Sequence, residues 1–144
     1  METSAESMSA IPGRMNEGWN AGDAAAFLAD FADDGELVDF EGSIHKGRDE
    51  LIAFHRPLFD TVLKGTRLVR GEVQFARVVR PGWGVVHHRM AMLMPGEQEP
   101  PAHRAFLQLY AMVWQEGRWQ IAALQNSRLV SLETAAALES LAAK

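Results

Sequence analysis

The chain contains no cysteine, only one tyrosine, and no apolar run approaching the roughly 18 residues needed to cross a bilayer. Without cysteine there are no disulfides, no thiolate nucleophile and no Cys-ligated metal. That absence fits a reducing compartment, and the expected location is cytoplasmic. The opening segment METSAESMSA has neither a cationic start nor an apolar stretch, so it is not read as a signal peptide. A basic stripe is also missing. The formal net charge is -5 with both signs interspersed, which argues against a nucleic-acid partner, as the lack of long apolar runs argues against a membrane. No Gly-rich phosphate loop follows a strand, and the five histidines show neither paired ligand spacing on one element nor an HExxH-type pattern. No metal and no cofactor are therefore expected.

What is present is the composition of one globular domain: 144 residues, 47% hydrophobic and 23% charged. Residues 1–10 read as a flexible tail. Ile11, Met15 and Trp19, four apart, mark a helix that starts or kinks at Pro12 and ends at Gly22. Asp23 caps a second helix from Ala24 to about Phe31. Asp33-Asp34-Gly35 turns the chain into a strand, Glu36–Phe40, closed by a Glu41-Gly42-Ser43 hairpin. A third helix is expected over Arg48–Leu63, kinked at Pro57. Residues 66–128 read as four long strands separated by turns at Pro81-Gly82, 95–101 and Glu116-Gly117, and residues 130–144 as a C-terminal helical tail. Helices followed by antiparallel strands make an α+β domain, with three N-terminal helices packed on one face of the sheet. The strand from Phe106 to Trp114 looks apolar on both faces. Its second face needs a cover, which favours a homodimer, with Trp119 and Ile121 as the interface anchors.

Particular segments carry a family likeness: Asn20-Ala21-Gly22-Asp23, Phe31-Ala32-Asp33-Asp34-Gly35 and Gly47-Arg48 in the first half. In the second half they are Lys64-Gly65-Thr66-Arg67, Leu93-Met94-Pro95-Gly96-Glu97, and Gly117-Arg118-Trp119 leading to Gln125-Asn126-Ser127-Arg128. In order and type these resemble the nuclear transport factor two-like superfamily (SnoaL-like, ketosteroid isomerase-like), and within it the SgcJ/EcaC family of actinobacterial biosynthetic clusters. The resemblance implies a cone-shaped domain over 11–129, with a strongly curved, mostly antiparallel sheet enclosing a pocket for a small hydrophobic molecule. It does not fix the chemistry, because this fold hosts isomerases, cyclases and non-catalytic modules.

The resemblance puts a general-base aspartate on Asp39. In a dry pocket such a carboxylate has a raised pKa; the alternative is a strand-edge Asp bonded to nearby backbone. The usual tyrosine donor falls on Met15, which cannot donate. The second donor falls on Tyr110, which is either a pocket donor or a core tyrosine with one buried partner. His55 lies at the pocket mouth or on the surface. His87 and His88 point to opposite faces of one strand, and His88 is expected inside with Val86 and Met90. Trp19 and Leu124 join the wall. Asn126 points inward to orient a ligand carbonyl, or else caps the strand end. Two readings follow. One is a cofactor-free acid–base enzyme (isomerase, cyclase or dehydratase type) of polyketide-like metabolism, using Asp39, Tyr110 and His88. The other is a non-catalytic protein that binds or shields a hydrophobic biosynthetic intermediate.

Overall fold

The computed structural model describes residues 4–143. Its elements in chain order are α1 (Ala5–Ser9), α2 (Ile11–Asn20), α3 (Ala24–Phe27), β1 (Phe31–Val38), β2 (Ile44–Lys46), α4 (Arg48–Phe59), β3 (Arg67–Arg80), β4 (Trp83–Leu93), β5 (Ala105–Gln115), β6 (Arg118–Arg128) and α5 (Leu132–Ala142). One six-stranded sheet has the order β2-β1-β6-β5-β4-β3. Among the described residues only the β1–β6 pairing is parallel. Register shifts at Val69/Glu72, Val73/Phe75 and Val78/Arg80 coil β3, because an extra residue on one strand bends it and adds twist. The α+β architecture and the mostly antiparallel sheet are as the sequence implies. No helix among the described residues is long and apolar enough to cross a membrane.

The helices cover one face of the sheet through the stripes the sequence shows. Ile11, Met15 and Trp19 of α2 are buried, as are Leu51, His55 and Phe59 of α4, each set repeating every four residues. Trp19 stands edge-on to Phe27 at 5.3 Å and to Phe59 at 5.1 Å, and its indole N–H donates to the Thr66 hydroxyl at 3.1 Å. α2 and α3 meet closely at Gly18, where an added Cβ would lie 2.3 Å from the Phe27 nitrogen. Asp23 caps α3 by accepting from the Ala26 amide at 3.0 Å. Gly22 takes a φ of +68° at the end of α2, the left-handed conformation expected of it. The 95–101 loop is pinned by Glu97, which accepts from the Met94 amide and from Arg104.

Several expectations are corrected. Of residues 1–10, residues 1–3 lie outside the described residues, as does Lys144 of the C-terminal tail. Residues 5–9 are not loose: they form α1, with Met8 fully buried. The Met8 sulfur fills the space a side chain at Gly84 would take, and burying a Met in this way stabilises by about 1.5–3 kcal/mol. The second helix stops at Phe27 rather than Phe31, because the Asp30 carbonyl accepts from the Ile121 amide at 2.8 Å and draws the chain into the sheet. The first strand therefore starts at Phe31 and ends at Val38. Asp33-Asp34-Gly35 is no turn but a bulge inside β1, between Phe31 and Glu36; a side chain at Gly35 would sit 2.7 Å from the Ile121 carbonyl oxygen. The third helix ends at Phe59, so Pro57 occupies its last turn rather than its middle.

Trp119 and Ile121 are 4% and 0% exposed and are not interface residues. α1 covers Trp119, whose N–H donates to the Ser7 hydroxyl at 3.1 Å, and Trp114 packs on it edge-on at 5.6 Å. The outer sheet face instead exposes Phe75 (52%), Trp83 (54%) and Leu109 (43%). Register places Phe75 opposite His87 and His87 opposite Leu109, one row of a single face. The C-terminal helix forms as expected, over Leu132–Ala142, and buries none of its residues.

Candidate functional site

Between the helices and the inner face of the sheet lies a cavity of about 330 Å³. Its wall is mostly apolar and includes Met15, Trp19, Leu68, Met90 and Leu124. Its polar groups gather chiefly at two places, the β1–β2 turn with the facing α4, and the row where β4, β5 and β6 cross.

The first place is the turn after β1. β1 and β2 form a hairpin in which Leu37 faces His45. Because Asp39 shares the face of Leu37, the two polar side chains converge, and both line the cavity. Asp39 Oδ1 accepts from the amides of Glu41 and Ser43 at 3.0 and 2.9 Å, while Oδ2 lies 2.9 Å from His45 Nε2. The expected raised pKa is corrected here. Burial does push the Asp39 carboxyl upward, but the hydrogen bonds from His45, Ser43 and Glu41 outweigh it and hold the group below the usual carboxylate value. Asp39 is thus an anion at neutral pH and a weak base on its own. An anionic carboxylate only accepts, so His45 Nε2 carries the hydrogen of this contact, and Nδ1 is the ring nitrogen not engaged by Asp39.

His55 closes the same end. Its Nδ1 donates to the Leu51 carbonyl 2.8 Å away, one turn earlier on α4, which leaves Nε2 with the lone pair. Burial lowers its pKa, with the Leu51 bond pulling the other way, and the ring lines the cavity in neutral form. Phe54 lies between the two imidazoles, 4.3 Å from His45 and 5.2 Å from His55.

The second place is a cross-strand row on the inner face, His88 opposite Gln108 and Gln108 opposite Asn126. One backbone atom sets the orientation of the whole row. The Val38 carbonyl can only accept, so Asn126 turns its Nδ2 to it at 3.1 Å and its Oδ1 toward Gln108. Gln108 must then present Nε2 to that oxygen, at 2.8 Å, and its own Oε1 to the core. There Oε1 accepts from the Tyr110 hydroxyl at 3.0 Å and from His88 Nδ1 at 2.9 Å. Burial lowers the His88 pKa against this bond, so the ring is neutral with its proton on Nδ1.

Of the sequence-derived candidates, Asp39, Met15, Trp19, His55, Met90, Leu124 and Asn126 line the cavity; Tyr110, His88 and Val86 do not. Tyr110 is fully buried, with its hydroxyl also 3.5 Å from the Met15 sulfur, and burial raises the phenol well above its ordinary pKa. It is a satisfied core tyrosine, set back behind Met15 and Gln108. His88 does point inward, opposite to His87, but its partner is Gln108 rather than the cavity. The reading of the strand from Phe106 to Trp114 as apolar on both faces passed over Gln108, whose position between Phe106 and Tyr110 already marked a buried polar group. His45 was missed for want of pairing across the Glu41-Gly42-Ser43 hairpin. Asn16 of α2 also lines the cavity. Among the described residues no group of three or more His, Asp and Glu is placed to hold a metal ion.

A family model for the SnoaL-like domain matches residues 13–119. No curated protein matches the sequence. Among solved structures, a domain of unknown function with a cystatin-like fold from Nostoc punctiforme is 35% identical, with a TM-score of 0.92, covering 100% of this chain and 88% of that one. A Caulobacter vibrioides protein with a cystatin-like fold is 23% identical, with a TM-score of 0.71, covering 94% and 96%. A ketosteroid isomerase-like protein from Erwinia carotovora atroseptica is 18% identical, with a TM-score of 0.69, covering 91% and 100%. The last two likenesses concern the fold alone.

Proposed function

Because the chain belongs to the SnoaL-like domain family, we propose that its cavity takes a small, largely apolar carbonyl compound and that the Asp39–His45 pair moves a proton on it. The observation that carries this is the 2.9 Å contact between Asp39 Oδ2 and His45 Nε2 at the wall of an apolar cavity. In this reading Asp39 is not the base. It fixes the ring and stabilises the imidazolium, while His45 Nδ1 takes a proton from the carbon beside the carbonyl and returns it to the same or a conjugated carbon. That chemistry suits an isomerase or cyclase of polyketide-like metabolism. The likeness to a ketosteroid isomerase-like protein supports the fold in which such chemistry occurs. A second copy of the chain is proposed to cover Phe75, Trp83 and Leu109.

The test uses 2-tetralone, an apolar ketone with acidic hydrogens beside its carbonyl, in deuterated buffer followed by proton NMR. Deuterium should enter faster with the protein than without it. The rate should fall about 10²–10⁴-fold in His45→Gln, with 2-tetralone affinity retained. Exchange no faster than in buffer, despite binding, would leave the carrier reading. One observation already favours that second reading: the Tyr110 hydroxyl is committed to Gln108 and offers no donor to the cavity.

A further inference from the structure

We infer that Gln108 and Asn126 form a paired amide donor that selects ligands by a carbonyl oxygen. The inference rests on the proposed reading of the cavity as a site for a carbonyl compound and adds the side chains that hold its oxygen. Each primary amide carries two N–H hydrogens. Gln108 Nε2 spends one on Asn126 Oδ1, and Asn126 Nδ2 spends one on the Val38 carbonyl. Among the described residues, one hydrogen on each nitrogen has no protein acceptor, and both side chains line the cavity.

Neither amide can turn to offer oxygen instead. Val38 O fixes Asn126, Asn126 fixes Gln108, and the hydroxyl of Tyr110 with the Nδ1–H of His88 holds Gln108 from behind. The buried Tyr110 and His88 are thereby positioning residues: they keep Gln108 Oε1 facing the core and its nitrogen facing outward. Donors fixed before the ligand arrives cost little to organise, and they favour an oxygen that only accepts, such as that of a ketone, aldehyde or quinone. An apolar ligand without such an oxygen would leave two N–H groups dry and unpaired, which a buried site penalises.

The experiment compares 2-acetylnaphthalene with 2-isopropenylnaphthalene, which replaces C=O by C=CH2 at nearly equal shape, by calorimetric titration of the whole chain. The ketone should bind at least about tenfold more tightly, roughly the value of one or two net hydrogen bonds. In Asn126→Ala the preference for the ketone over the hydrocarbon should fall several-fold. Infrared spectra of the bound ketone in the unaltered protein give an independent readout should that variant not fold: its carbonyl stretch should move to lower wavenumber than in hexane. Equal affinities with an unshifted stretch overturn the donor pair and leave the cavity standing as a ligand site. Failure of both compounds to bind overturns the cavity reading itself, and this inference with it.

Discussion

Asp39 and His45 meet at 2.9 Å across the turn that joins β1 to β2, and the same carboxylate takes the Glu41 and Ser43 amides on its other oxygen. One side chain therefore both builds the hairpin and orients the imidazole. Asp39→Asn weakens the three contacts together by removing their charge, and should lower unfolding free energy by about 1 kcal/mol at neutral pH. The sign with pH follows from the lowered pKa. A depressed carboxyl stabilises the fold above its ordinary value of 3.8, and that contribution vanishes as pH falls through the folded value. Urea unfolding of both proteins should thus show a gap near pH 7 that closes in acid. A gap that persists in acid would show that the charge is not its source.

His55 and His88 make the opposite demand. Both are held neutral by burial, below the ordinary histidine value of 6.5. As pH drops past that value the unfolded chain takes up protons that the folded chain refuses, so stability declines. Unfolding midpoints measured from about pH 7 to about pH 5 should fall steadily. The slope should be shallower in His55→Phe, which keeps an aromatic ring against Phe27 (5.2 Å from His55) and removes one titrating group. An unchanged slope in that variant would mean His55 takes up its proton in the folded chain as readily as in the unfolded one.

Tyr110→Phe distinguishes a core role from a site role. The hydroxyl donates to Gln108 inside the protein and does not reach the cavity wall. Its loss should cost about 1–2 kcal/mol of stability, leaving Gln108 Oε1 with the His88 bond. Affinity for 2-tetralone should fall only modestly, since His88 still holds Gln108 Oε1 toward the core and the cavity wall keeps its atoms. A large loss of affinity without loss of stability would place the phenol in contact with ligand after all.

The fold was legible because periodicity carries it. The four-residue spacing of Ile11, Met15 and Trp19 and the alternation along β4 and β5 depend on local backbone geometry alone. The bulge at Gly35 was not legible, since only the approach of Ile121 from a strand 86 positions later makes a glycine necessary there. The site divides in the same way. Asp39 and Asn126 are reached through the family resemblance together with alternation along each strand, whereas the partners that decide their chemistry, His45 and Gln108, belong to neighbouring strands. Met15 shows the limit of position matching. It marked a missing donor, and the structure adds that its sulfur also lies against the hydroxyl of Tyr110, the residue expected to compensate.

The outer face supplies the last expectation. Phe75, His87 and Leu109 stand in one row across β3, β4 and β5, and Trp83 lies on the same face two alternations along β4 from His87. Exposure of three large apolar side chains on one sheet face is costly in a lone domain, and a two-fold partner would bury each of them twice. Sedimentation at tens of micromolar should show a dimer. Leu109→Glu places a charge at one end of that row, on the face a second copy would cover, and it should shift the species to monomer with the monomer's stability within about 0.5 kcal/mol of the parent, as for an exposed position. Trp119→Phe acts as the contrast: buried under α1, it should reduce stability without changing the association state. A dimer that survives Leu109→Glu would assign the interface to another surface, such as the exposed leucines of α5 (Leu132, Leu138 and Leu141).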